Sequence, residues 1–431
     1  MTETTTRPDR ACCAEAERAS NVTRRSLLKA VGLGTVAIAA GPMVGMRAAF
    51  GAVDAGWAGD TVVVLSLRGG FDGLSAVAPI GDPDYALNRP TIGVPSGSAF
   101  QLDSMFGMHP ALNALQSLWT SNKLAFVHAA GMASPNRSHF AAMDEMERAA
   151  PGSSARSGWL DRTLALHTVG GPFSAVQMGS SSLPESLAGP YPVLGMDSIS
   201  SFNLKGAGST QAGRDRWRNA LNALHVQAPA GLHDSAAGTL GALDTAAGLG
   251  TYTPGNGASY PNVGVGNALR NAAQLIKAQV GVRVLTIDLG DWDMHANLGT
   301  VGNGWMRDNL TELGGALKAF ATDLGPMLDS TTLVTISEFG RRVEENESGG
   351  VDHGWGNVMM VLGGHVVQGV HGTWPTLAPA KLTQGDLTAT TDYRAVLADI
   401  LVNRTGASVA QVAEVFPGYT GASSLPGVTT A

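Results

Sequence analysis

The sequence predicts an α/β fold, with a mostly parallel central sheet covered by helices on both faces. Two observations lead there. Short apolar, β-branched runs such as TVVVLSL (61–67) and TTLVTIS (331–337) alternate along the chain with helically spaced segments. The runs are continuously apolar rather than alternating, as strands buried on both faces must be.

The elements follow in order. TVVVLSL (61–67) reads as a strand that stops at Arg68-Gly69-Gly70. HPALNALQSLWTS (109–121) has helical spacing, and KLAFVHAAG (123–131) is the next strand. SHFAAMDEMERA (138–149) is a helix opening at Ser138, and AVQMG (175–179) a short strand. Residues 180–262 are rich in Gly, Ala, Ser and Pro, with one helical piece at 214–225, and read as an insertion or cap. A helix at 267–280, a strand at 282–290, a helix at 306–325, strands at 331–340 and 357–364, and a helix at 393–404 complete the pattern. Residues 56–420 are expected to form one domain, followed by a flexible tail at 421–431.

The N-terminus reads as a targeting segment. Arg24-Arg25 precedes Ser-Leu-Leu-Lys, a mild apolar stretch broken by Pro42, and small residues near Ala49 and Ala55. That order is a signal peptide, and the paired arginines fit the twin-arginine (Tat) route, with the Tat translocase as partner during export. Residues 1–55 are assigned to it. The apolar stretch is too weak for a stable membrane span. Cys12 and Cys13, the two cysteines of the chain, both precede the arginine pair. The exported part therefore has neither a disulfide nor a thiolate metal ligand. With 44% hydrophobic residues the chain is not disordered. Its formal net charge of −7 gives no basic footprint for nucleic acid.

In such sheets ligands sit beyond the carboxyl ends of the strands. Four polar clusters stand there: Arg68 to Gly73, Asn136 to His139, Asp288 to His295, and Ser337 to Arg342 followed by Asp352-His353-Gly354. Carboxylates and imidazoles are ligands of divalent metals. Asp293 pairs with His295 if the segment is extended, and Asp291 with His295 if it turns helically. An acidic turn bonded to His295 is the other reading of the same residues. Asp352 and His353 form a second Asp/His pair, and two such pairs at neighbouring strand ends resemble the ligand set of a two-metal site. Ser138 either caps a helix or, at the anion-favouring helix end beside Arg137, acts as a nucleophile. His139 adjoins it as a candidate ligand. Arg68, Arg137 and Arg341 are candidate anion binders, with Glu338 and Arg341 alternatively an ion pair. Asp72 sits in a glycine-flanked loop, either a ligand or a turn residue, and His365 follows a strand.

The segments LRGGFDGLS, RSHFAAMDEME, LGDWDMHANLG, SEFGRRVEEN, DHGWGN and GGHV occur in this order. Together they resemble domain-of-unknown-function family 1501, itself distantly similar to the alkaline phosphatase and sulfatase superfamily. The resemblance implies an exported hydrolase of phosphate or sulfate esters, acting on an anionic small molecule or polymer. It implies Ser138 as nucleophile, Asp293 with His295 and Asp352 with His353 as ligand pairs, and His365 as a further ligand. The first strand ends in Arg68-Gly69-Gly70 where the superfamily has aspartate, with Asp72 four residues later as its replacement. Asp291 stands where glycine is expected. The donors present suit zinc, manganese, calcium or magnesium. The alternative is a binding or assembly protein of the cell envelope on a degenerate hydrolase fold.

Overall fold

The computed structural model describes residues 59–431 apart from 168–170, 205–209 and 424. The targeting segment, with Arg24, Arg25 and both cysteines, lies outside the described residues. The strands are β1 (Thr61–Leu67), β2 (Val77–Ala78), β3 (Phe100–Gln101), β4 (Gly107–Met108), β5 (Leu124–Gly131), β6 (Ala175–Met178), β7 (Leu194–Met196), β8 (Val284–Leu289), β9 (Thr331–Ile336), β10 (Asn357–Gly363), β11 (Val370–His371) and β12 (Thr391–Asp392). The central sheet runs β11-β5-β10-β9-β1-β8-β6-β7, with β12 also on β5. Strands β2, β4 and β3 form a small separate sheet.

All neighbours in the central sheet are parallel except β10, which is antiparallel to both β5 and β9. The expected fold class is the observed one. Side-chain alternation explains why both faces are covered. Val63, Leu65 and Leu67 of β1 enter one core, shared with Leu269 and Leu275 of the helix Gly264–Lys277 and Leu313 and Leu317 of the helix Trp305–Leu324. Val62 and Val64 enter the other core. There they meet Met146 of the helix His139–Arg148, Leu160 of the helix Trp159–Ala165 and Val396 of the helix Tyr393–Thr405. Each such fully buried side chain contributes roughly 1.5–3 kcal/mol.

The structure departs from expectation in three places. The segment after His109 begins as a 3-10 turn, Pro110–Leu115, before a short helix, Gln116–Thr120. Among the described residues between 180 and 262 there are two α-helices, Gln211–His225 and Ala230–Gly248, and the edge strand β7. Alanine drives the second helix, while its four glycines, each costing about 1 kcal/mol in a helix, hide the signal. The described C-terminal residues, expected as a tail, pack back on the domain. The buried Asp399 carboxylate accepts the backbone N–H groups of Gly427 (2.7 Å) and Thr429 (2.9 Å), and Val428 beside them is fully buried.

Direction sets up the site. β1, β5, β8 and β9 run the same way, so Leu67, Gly131, Leu289 and Ile336 end on one edge. β10 runs back and starts there at Asn357. The segments 68–73, 132–138, 290–304 and 337–356 therefore leave or reach a single sheet edge.

Candidate metal centre

The stretch after β8 turns at Asp291, whose φ of +68° lies in the left-handed region. That region favours glycine, but aspartate tolerates it. Beyond the turn the side chains alternate. Trp292 and Met294 are buried, Trp292 edge-on against Phe71 with ring centroids 4.7 Å apart, while Asp293 and His295 stand out. The i, i+2 pair is therefore Asp293 with His295, and the exposed Asp291 lies outside it.

The helix His139–Arg148 supplies the second component from its first residue. The third comes from the β9–β10 connection, where His353 bridges Arg341 in antiparallel fashion. Gly354 makes this fold-back possible, because a Cβ there would stand 2.4 Å from the Arg341 carbonyl carbon.

The three segments converge on one point. The His353 Nε2 lies 3.0 Å from His139 Nε2, 2.9 Å from His295 Nε2 and 3.2 Å from Asp293 Oδ1. His295 Nε2 is 3.0 Å from Asp293 Oδ1, and His139 Nε2 is 3.4 Å from Asp293 Oδ2. Each ring is held from behind. His139 Nδ1 meets Glu338 Oε1 at 2.8 Å, His295 Nδ1 meets Asp352 Oδ1 at 2.9 Å, and His353 Nδ1 meets the Arg137 carbonyl at 2.9 Å. These partners accept only, so each Nδ1 carries its proton and each Nε2 faces the centre, where it is a metal donor once deprotonated. This is the backing arrangement of metal-ligating histidines.

Electrostatics points the same way. Hydrogen bonds to Asp293 and Glu338 push the His139 imidazole up to about 9, against the effect of burial. Burial opposes ionisation of Asp293, yet hydrogen bonds from His139, His353 and Arg341 hold its carboxyl far below the usual range. Glu338 and Asp352 are also held low, the first against its burial and chiefly by His139, the second chiefly by His295. The raised His139 and the lowered Asp293 both favour a positive charge at the centre, either a proton or a cation in its place. Donor atoms about 2.0–2.2 Å from one ion lie about 3–3.5 Å from each other, and His139, Asp293 and His353 are 3.0–3.4 Å apart. His139, Asp293 and His353 thus form a set that can hold a metal ion, with His295 beside it against Asp293 and His353.

The other candidates lie elsewhere or do other work. Asp352 orients His295 through Nδ1 instead of facing the centre. Asp72 is engaged in a buried two-point ion pair with Arg89 (2.6 and 2.9 Å) and is not among the residues that converge on the centre. His365 follows β10, whose reversed direction carries it roughly 20 Å away to the opposite sheet edge. Arg341 is fully buried and cannot reach a substrate. Arg68 is bound by Glu147 (2.6 Å) and Asp288 (2.7 Å), and Arg137 by Asp386, so neither guanidinium is uncommitted. Ser138 occupies the N-cap position in extended conformation, yet its hydroxyl makes no capping bond and the residue is exposed. Sequence reasoning missed Glu338 as the support of His139. Its place directly after β9, at the edge where the other strand ends gather, was the available signal.

No curated protein matches the chain. Among solved structures it is similar to the lipoteichoic acid synthase LtaP from Listeria monocytogenes, at 8% identity and TM-score 0.31, covering 70% of this chain and 65% of that one. It is also similar to the zinc complex of the C-terminal periplasmic domain of EcEptC from Escherichia coli, at 9% identity and TM-score 0.31, over 73% and 77% of the two chains. A third is the alkaline phosphatase from the Antarctic bacterium TAB5, at 11% identity and TM-score 0.26, over 71% and 91%. The stretch 60–400, which carries every ligand and supporting residue of the centre, matches the family described as "Protein of unknown function (DUF1501)", and the chain belongs to that family.

Proposed function

We propose that the chain is an exported hydrolase of phosphate or sulfate esters, working with a divalent metal ion held by His139, Asp293, His295 and His353. The observation that carries the reading is the convergence of three Nε2 atoms on Asp293, with every Nδ1 held by an acceptor. Three imidazoles and one carboxylate suit zinc best, with manganese next, whereas calcium and magnesium favour oxygen donors throughout. When bound, such an ion supplies Lewis acidity that polarises an ester oxygen and eases loss of a proton from a nearby hydroxyl.

The chain's own residues supply the rest. Ser138 adjoins His139, is exposed and does not cap its helix, so it is the candidate nucleophile. The ten-residue helix behind it presents unpaired N–H groups and a positive dipole end to an anionic substrate. Glu338, Asp352 and the Arg137 carbonyl fix the three rings. The Arg24-Arg25 motif supports Tat export, with the translocase as partner, and among the described residues no helix is long and apolar enough to cross a membrane.

A second reading is a binding or assembly protein of the cell envelope. It is favoured by the pairing of Arg68 and Arg137 with carboxylates, which offsets the positive charge each would bring to an ester's oxygens. One experiment separates the two. The exported protein is purified, its metal content measured, and hydrolysis of 4-nitrophenyl phosphate and sulfate assayed with zinc or manganese. The hydrolase reading expects bound metal and turnover that Ser138→Ala abolishes without loss of metal. Metal without turnover of either ester supports the binding protein.

A further inference from the structure

Arg341 does not face solvent, and its guanidinium is spread over five acceptors. Nε donates to the Gly70 carbonyl at 2.6 Å and Nη1 to the Val351 carbonyl at 3.0 Å. Nη2 donates to the Gly69 and Trp292 carbonyls and, at 2.6 Å, to Asp293 Oδ1. The acceptors come from three segments far apart in sequence: the loop after β1, the loop after β8, and the approach to His353. The side chain is completely enclosed.

We propose that Arg341 is a positioning residue for the cation site: it locks Asp293 in its inward orientation and sets the β1 and β8 loops and the His353 segment at their working separation. This rests on the metal reading above. The Asp293 oxygen it holds is the one that stands 3.0 Å from His295 Nε2 and 3.2 Å from His353 Nε2. Without the guanidinium, that half-exposed carboxylate is free to rotate into water. The planar fork is what allows one side chain to address several fixed acceptors at once. Lysine carries the same charge on a single point and cannot do so. Arg341→Lys therefore removes the geometry and keeps the charge.

The test compares wild type and Arg341→Lys, as full chains, by zinc titration and by melting with excess zinc or with EDTA. The expected result is a loss of zinc affinity of about tenfold or more, the scale of a lost support behind a ligand. The zinc-induced rise in Tm must shrink with it. A merely structural role lowers both melting temperatures equally and leaves the difference intact, and that result, with unchanged zinc affinity, overturns the assignment. A wild type that takes up neither zinc nor manganese overturns the metal reading and this assignment together, so the two failures are distinguishable. If Arg341→Lys does not fold, hydrogen exchange of the wild type decides. Zinc must slow exchange in 68–71, which contains no ligand, together with 291–295 and 350–353. Slowing in the ligand segments alone overturns the proposal.

Discussion

The Nε2 atoms of His139 and His353 lie 3.0 Å apart, although both rings have already committed their Nδ1 protons, to Glu338 and to the Arg137 carbonyl. Two lone pairs face each other unless a proton or a cation stands between them. Zinc should therefore stabilise the protein, by about 3 kcal/mol at a hundredfold excess over Kd. His353→Ala should abolish that gain. Melting curves with zinc and with EDTA read it directly, and superimposed wild-type curves would refute it.

Glu338 acts on the centre through His139. Glu338→Gln keeps an acceptor for the Gly69 N–H but removes the charge that holds the imidazole. Zinc affinity should fall by about 10- to 100-fold, with secondary structure unchanged. Competition with a chelator of known affinity measures the change.

The Asp72–Arg89 pair is a strut, not part of the centre. Arg89 also donates to the carbonyls of Val343 (3.0 Å) and Arg342 (2.9 Å). Arg89→Met leaves a buried carboxylate without its partner and should cost roughly 3–5 kcal/mol in urea unfolding. Asp72→Asn, which keeps the shape, should leave zinc content intact. Loss of zinc from folded Asp72→Asn would place Asp72 in the metal site after all.

Asp161 supplies a pH test away from the metal. Burial raises its carboxyl to about 6, against an N–H bond from Tyr191 at 3.0 Å. A carboxyl raised on folding binds its proton more tightly in the native state, so stability falls as pH rises from about 4 to about 6. The cost is complete above that window and absent below it. Asp161→Asn should raise stability at pH 8 by about 1–3 kcal/mol, since each tenfold change in proton affinity is worth about 1.4 kcal/mol, and change nothing at about pH 3.5. Equal gains at both pH values would exclude titration as the cause.

The proposed export by the twin-arginine route rests on Arg24 and Arg25. Replacing both with lysine keeps the charge but not the guanidinium shape, and the precursor should stay in the cytoplasm. Its appearance outside the cytoplasm, by blotting of cell fractions, would exclude the twin-arginine route.

The sequence by itself determined the layered α/β fold. TVVVLSL and TTLVTI are strands for local reasons, since β-branched runs suit a sheet buried on both faces and helical periodicity is written within each segment. It also placed the chemistry at strand ends, because in a parallel sheet those ends share an edge. Tertiary structure decided which residues meet. His139 and His353 are 214 positions apart in sequence, and no local pattern couples them. Of the neighbours Asp352 and His353, the bridge to Arg341 turns His353 inward and leaves Asp352 behind His295. The reversal of β10 sends His365 to the far edge, and the burial of Arg341 turns a candidate anion binder into a clamp. Side-chain direction and long-range pairing arise only when the chain closes on itself, which is why the sequence offered His139, Asp293, His295 and His353 among eight candidates and only the folded chain brought these four together.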